Sequence, residues 1–192
     1  MSDFYNKYYA TVESSIAHGK FCQIVYGKNM CQHGMADMPQ IDTLIRKLKV
    51  KGTDRLLDLG CGNGFITEYI QKVTEANVVG IDLSPVAIER ASRRTSQLSD
   101  RLTFQTADMC RLDYPAGSFE RIVPIDSHYF VAEFEGFPRN LMVLLSHGGW
   151  IGLFSDQGMG IPGRDDSHLK ASESKIGQFL KREGLRYRAL PI

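Results

Sequence analysis

No stretch of this 192-residue chain approaches the roughly 20 consecutive apolar residues that a bilayer span requires. Its opening residues, Met1 to Lys7, lack the basic-then-apolar order of a secretory leader. Cysteine occurs only four times, as Cys22, Cys31, Cys61 and Cys110, and never as a C-x-x-C pair. Cys31 and His33 would be half of a metal site, but a second pair at zinc spacing is missing, so no metal is expected. Reduced thiols and a cytoplasmic location are the expectation. Charge of one sign is also lacking: the net charge is +1, which gives no electrostatic case for nucleic acid as an obligatory partner. Neither a repeat nor a low-complexity tract is present. What remains is ordinary for a globular protein: 43% hydrophobic and 23% charged residues, with length enough to bury a core.

Against that plain background one segment stands out. The apolar run Leu56-Leu57-Asp58-Leu59 stops at Gly60-Cys61-Gly62-Asn63-Gly64. A second short run, Val78-Val79-Gly80-Ile81, ends in Asp82. Glycines at a strand-to-helix turn let the backbone approach a ligand, because no Cβ intervenes. An acid at the end of the next strand accepts hydrogen bonds from ribose hydroxyls. The pair predicts a nucleoside-bearing cofactor across the tops of two strands. The dinucleotide fingerprint G-x-G-x-x-G is not met, because Phe65 holds its third glycine position. A nicotinamide-dependent dehydrogenase is therefore disfavoured.

The spacing Asp58-x-Gly60-x-Gly62-x-Gly64 resembles motif I of the class I S-adenosylmethionine-dependent methyltransferases. Gly80-Ile81-Asp82-Leu83-Ser84-Pro85 and Thr106-Ala107-Asp108-Met109 resemble the next two motifs of that family, in order, so that the likeness covers roughly residues 54 to 155. It implies S-adenosyl-L-methionine as cofactor and methyl transfer to a small molecule as activity, with the O, N or C acceptor open. It implies a Rossmann-like α/β fold as well.

The local patterns agree. Tyr5, Tyr8, Tyr9, Val12 and Ile16 recur at helical spacing, with Gly19 as the expected stop. Phe21 to Tyr26 is a second apolar segment, and 29–38 reads as a loop. Asp37 caps a helix that starts at Pro39, with Gln40 closing the capping box and Gly52 as its stop. Strands are expected at 55–59, 78–83, 102–106, 120–125, 150–154 and 185–190. Helices are expected at 63–73, with Ile66, Tyr69, Ile70 and Val73 inward, then at 85–96, 138–145 and 172–183. Such alternation predicts a doubly wound, mostly parallel sheet with helices on both faces. Residues 1–38 are read as an N-terminal helical cover and 39–192 as the Rossmann-like domain. Pro124 sits inside an expected strand, where it removes a donor; a bulge or an early strand end would accommodate it. By resemblance the sheet would close with an antiparallel hairpin, of which only the first strand would be complete before Ile192.

Candidate residues follow from these positions. Gly60, Gly62 and Gly64 would bring backbone amides to the carboxylate of the cofactor at a helix N-terminus. Asp58 would meet its ammonium directly or through water, and Asp82 would take both ribose hydroxyls. By resemblance Asp108 would accept from the adenine amino group, with Met109 beside the ring. Cys61, Asn63, Leu83 and Asp126 complete the expected cofactor contacts. His128 and Tyr129, just past the fourth strand, would line the acceptor pocket, and His128 is the candidate base. His33, with Gln32 and Gly34, would reach the site from the cover. The segment 156–170 reads as a substrate lid. Arg90, Arg93 and Arg94 read as a solvated outer face. Pro124-Ile125-Asp126-Ser127 lacks the Asn/Asp-Pro-Pro-aromatic motif of the nucleic-acid amino methyltransferases. A non-catalytic S-adenosylmethionine-binding module or sensor is the alternative, and the oligomeric state, monomer or homodimer, stays open.

Overall fold

The computed structural model describes residues 2–131, 136–154 and 174–190. The chain forms two compact units, Met1–Ser155 and Asp156–Ile192. In the first unit the helices are α1 (Ser2–Thr11), α2 (Ile16–Tyr26), α3 (Met38–Leu48), α4 (Phe65–Thr74), α5 (Pro85–Arg94) and α6 (Gly136–Leu144). Its strands are β1 (Arg55–Leu59), β2 (Asn77–Asp82), β3 (Leu102–Thr106), β4 (Phe119–Pro124) and β5 (Leu145–Ile151). They form one parallel sheet in the order β3-β2-β1-β4-β5.

Alternation along the strands builds two cores. Leu56, Val78, Leu102 and Val123 point to the face covered by α3 and α4, through Ile41, Leu48 and Ile70. Leu57, Leu59, Val79, Ile81 and Ile122 point to the other face, under Phe137, Leu141 and Leu144 of α6. A doubly wound parallel sheet is buried on both sides, which is why its central strands read as near-continuous apolar runs. The order reverses between β1 and β4, and that switch point is where such sheets open a ligand crevice.

The capping box at Asp37 forms as expected: its carboxylate accepts from Gln40 N at 2.8 Å and Gln40 Oε1 accepts from Asp37 N at 2.9 Å. Pro124 closes β4 and is fully buried. Ile122 and Pro124 both turn their carbonyls to the outer strand segment, accepting from Gly152 N and Phe154 N. The N–H that Pro124 lacks would face that same neighbour, so the β1 side of the ladder is untouched.

Several local expectations shift. Gly19 does not stop a helix; it sits within α2, where a Cβ would stand 2.8 Å from the Asn29 amide nitrogen, and Gly27 closes the helix instead. Helix α3 ends at Lys49 rather than Gly52. Val73 is half exposed, because the buried stripe of α4 runs through Thr67, Ile70 and Gln71. The fifth strand starts at Leu145, but Phe119 pairs with Leu145 while Arg121 pairs with Trp150, so 146–149 bulge out and the ladder resumes where the alternating pattern begins. Residues 185–190 form no strand. Their alternation is strand-like, but a strand needs a partner for its backbone groups, and no described segment pairs with them.

The second unit contributes one described helix, α7 (Lys175–Arg182), capped by Ser174, whose hydroxyl accepts from Gly177 N at 3.0 Å.

Candidate active site

A mostly apolar cleft of about 160 Å³ opens at the carboxyl ends of β1, β2 and β4. Its floor is the glycine turn. Gly60 and Gly62 adopt left-handed φ values of 73° and 54°, in which L side chains are strained. A Cβ on Gly60 would lie 2.5 Å from Ser127 Cβ, and one on Gly62 would lie 2.5 Å from the Tyr9 hydroxyl. Gly64 serves a different end: a Cβ there would meet Phe104 at 2.4 Å, so this glycine lets α4 pack on β3 and stays outside the cleft walls.

Asp82 holds the glycine turn in place. One carboxylate oxygen accepts from Gly62 N at 2.9 Å and the other from Ser84 N at 2.8 Å. A carboxylate offers about four lone-pair sites, so each oxygen keeps capacity for a further donor. Burial raises its pKa, and the backbone N–H groups of Ser84, Gly62 and Leu83 oppose that rise. Leu83, Cys61, Asn63, Ala107 and Met109 line the cleft beside it.

Two expected contacts lie elsewhere. Asp58 is buried behind the turn and accepts from the Thr67 hydroxyl at 2.6 Å. Burial pushes its carboxyl up to about 7. It anchors the first turn of α4 and is not part of the cleft wall. Asp108 turns back on its own loop, accepting from Cys110 N at 2.9 Å, and it too is off the wall.

The acceptor side brings the larger correction. Ser127 donates to Leu59 O at 2.5 Å, tying the end of β4 to the end of β1. The chain then enters a single 3-10 turn, His128–Phe130. Three residues per turn spread three side chains around the axis, so one of them faces any given wall. Phe130 is the one that lines the cleft. His128 is buried beyond it with Nδ1 lacking a partner among the described residues, and Tyr129 is half exposed. Neither reaches the cleft, so neither the base nor the lining role expected for them is supported.

The N-terminal cover forms the remaining wall. Tyr5, Tyr9, Met30, Gln32, His33, Gly34 and Ala36 all face the cleft. His33 packs edge-on against Tyr5 and Tyr8, with ring centroids 5.3 and 5.1 Å apart. Burial lowers its pKa, against the field of Asp126. Burial likewise raises the Tyr9 phenol. Gly34 lets the cover loop touch β4: a Cβ would lie 3.0 Å from Asp126 Cβ and Oδ2. Met35 N donates to that oxygen.

Sequence reading alone missed what fastens the cover. Arg90 and Arg94 are not a solvated face. Arg90 donates to Ala10 O at 2.7 Å; Arg94 donates to Asn63 O at 2.7 Å, pairs with Glu68 at 3.0 Å and stacks on Phe65. Glu13, in the turn after α1, approaches both arginines at 3.7 and 3.8 Å. Ser84 also donates to Asn6 of α1 at 2.6 Å. The only signal was an i, i+4 arginine pair on α5, which a solvated helix would show equally. The expected lid, 156–170, lies outside the described residues.

Such a cleft over a glycine turn, at the switch point of a 3-2-1-4-5 parallel sheet, defines a Rossmann-like nucleoside-cofactor protein. Residues 56–149 match the family model described as a methyltransferase domain. A sterol 24-C-methyltransferase of Aspergillus fumigatus is 30% identical over 136 residues, covering 70% of this chain and 35% of that protein. The 27-O-demethylrifamycin SV methyltransferase of Amycolatopsis mediterranei is 32% identical over 114 residues, 58% of this chain and 42% of that one. Among solved structures, a methyltransferase from Aquifex aeolicus superposes with TM-score 0.61 at 16% identity, over 76% of this chain and 79% of that one. SpnF, solved as a cyclase, superposes with TM-score 0.65 at 22% identity over 85% and 63%. These matches bear out the resemblance of the chain to the class I S-adenosylmethionine-dependent methyltransferases. It spans about a third of the length of the curated sterol methyltransferases it matches. Among the described residues no helix is long and apolar enough to cross a membrane.

Proposed function

We propose that this chain binds S-adenosyl-L-methionine and transfers its methyl group to a small-molecule acceptor. One observation carries the reading above the rest. Asp82, at the end of β2, fixes Gly62 N and faces the cleft with unused lone pairs. That is the arrangement a ribose diol needs, beside a turn whose glycines leave no Cβ in the way.

Gly60, Cys61, Gly62 and Asn63 would hold the amino-acid part of the cofactor, Asp82 and Leu83 its ribose, and Met109 one face of its base. Asp58 would act from behind, by fixing the start of α4. Gly64 and Asp108 would shape the turns rather than touch the cofactor. When bound, S-adenosylmethionine supplies a methyl group already activated by a positively charged sulfur. The protein then has to align the acceptor and exclude water. Tyr5, Tyr9, His33 and Phe130 do the excluding: they enclose the apolar half of the cleft. His33, the one histidine on the described wall, is favoured in its neutral form by burial and is the group best placed to take a proton from an acceptor that must lose one. A volume of 160 Å³ is below the ~300–1,000 Å³ of sites for drug-sized ligands. The Tyr9 hydroxyl stands over Gly62 from the cover side, so movement of the cover would widen the cleft for the cofactor.

Calorimetric titration tests this directly. S-adenosylmethionine and S-adenosylhomocysteine should both bind, and NAD should not. Binding of NAD with no response to either sulfur compound would overturn the reading. The alternative, a cofactor-binding module without transfer, gains from SpnF: the fold also occurs in a protein solved as a cyclase. Formation of S-adenosylhomocysteine in a metabolite extract separates the two.

A further inference from the structure

We propose that Asp126 and Gln32 form the recognition site for an amine on the acceptor, with Tyr5 and Phe130 as its aromatic wall. The proposal rests on the methyltransferase reading and names the substrate class for it.

Asp126 is an anomaly in three respects. It is a carboxylate with 6% of its surface exposed. Its φ is +54°, a left-handed value that costs a non-glycine residue free energy and that clusters at functional sites. Its Oδ2 accepts from Met35 N, while its Oδ1 has no partner among the described residues. A buried carboxylate oxygen without a donor is costly to leave unmatched.

Gln32 is a second such case on the facing loop. It is also 6% exposed. Its amide nitrogen donates to Ala36 O at 2.5 Å and to Gly34 O at 3.4 Å. Those bonds fix which end of the amide points where, and they leave Oε1 without a donor. Both residues line the same cleft, and the Gly34 contact brings their two loops together.

Two vacant acceptors select among ligands. A hydroxyl brings a single O–H and leaves one of them unmatched; a protonated amine brings two or three N–H donors and a positive charge. A carboxylate or phosphate brings no donor and the wrong charge, since Asp82 and Asp126 are the acids on the described wall. The rings beside this pair suit a cation as well: Tyr5 packs against Phe130 and His33 with centroids 5.6 and 5.3 Å apart. Aromatic faces attract ammonium groups through their quadrupoles. The sequence reading counted Asp126 among the cofactor contacts; here its free oxygen is assigned to the acceptor instead.

The test uses three probes of one shape, benzylamine, benzyl alcohol and benzoate, titrated calorimetrically into the full chain saturated with S-adenosylhomocysteine. Benzylamine should bind at least about tenfold more tightly than benzyl alcohol, as hydrogen bonds to a charged partner imply. Asp126→Asn should remove that preference, because the amide presents N–H where the ammonium needs an acceptor. Asparagine tolerates the left-handed backbone, so this variant keeps the fold. Gln32→Leu is the second variant, and it should lower benzylamine affinity alone. Affinity for S-adenosylhomocysteine should stay within about twofold of the parent in both. Benzyl alcohol or benzoate binding as well as benzylamine, no benzylamine binding, or an equal loss for all probes in Asp126→Asn would each overturn the proposal. Failure of S-adenosylhomocysteine itself to bind would instead overturn the reading beneath it.

Discussion

The two walls of the cleft differ in how far their polar groups are matched. On the sheet wall, Asp82 accepts from two backbone amides, and behind that wall Asp58 accepts from Thr67. Where the cover meets the end of β4, Gln32 of the cover and Asp126 facing it each keep an oxygen with no donor among the described residues. A wall matched within itself is stiff and can present the same surface to one constant ligand. A wall with vacancies is unfinished until something supplies donors. The contrast fits a division of labour in which the sheet holds a cofactor shared across the family and the cover reads the acceptor.

The strongest way to probe the sheet wall is through pH. Burial holds the folded Asp58 carboxyl at about 7, above its ordinary value near 4. Between those values the folded chain holds more protons than the unfolded one, so stability is lost as pH rises through this window. Asp58→Asn removes the titration and keeps an oxygen for the Thr67 hydroxyl. The variant should gain on the order of 3 kcal/mol over the parent on going from pH 5 to pH 8. Denaturant melts at both pH values measure this, and parallel curves for the two proteins would show that Asp58 ionises freely in the fold.

A smaller effect is expected at Asp82. Asp82→Ala should weaken binding of S-adenosylhomocysteine by about 1–3 kcal/mol, the worth of hydrogen bonds to a charged acceptor. If Asp82 served only as an acceptor for ribose hydroxyls, the free protein would not change. The structure predicts otherwise, because the same carboxylate holds Gly62 N and Ser84 N. The thermal midpoint without ligand should fall by a few degrees, as about 1 kcal/mol does in a chain of this size. An unchanged midpoint with intact binding would detach Asp82 from both roles.

The same division marks what could be read before the structure. The sheet wall is made of short-range patterns. Strands β1 and β3 have the expected bounds, the Asp37 capping box forms, and the glycine turn lies where its spacing places it. The cover wall is made of contacts far apart in sequence, such as Met35 with Asp126 and Arg90 with Ala10. No local period announces these. His128 was misread for a related reason: position after β4 is legible, but which side of a 3-10 turn faces the cleft depends on how that turn is seated. Residues 185–190 show the converse, a strand-like alternation with no partner among the described residues to make it a strand.

The cover's fastening gives the finest test of the contrast. Glu13 reaches Arg90 and Arg94 at 3.7 and 3.8 Å, and its side chain and both arginines are about a quarter exposed. Partly exposed pairs at such distances contribute up to about 1 kcal/mol and are screened by salt. Glu13→Gln removes the charge and preserves the shape. If the cover is a separately opening element, its loss should appear locally rather than in global stability. Amides of α1 should exchange with solvent several-fold faster, as an opening free energy lowered by less than about 1 kcal/mol implies, while those of β1 keep their rates. Raising the salt concentration should bring parent and variant together. Equal acceleration in α1 and β1 would mean that the cover and the sheet open as one unit. The matched and unmatched walls would then belong to a single rigid cleft, and ligand entry would need another route than movement of the cover.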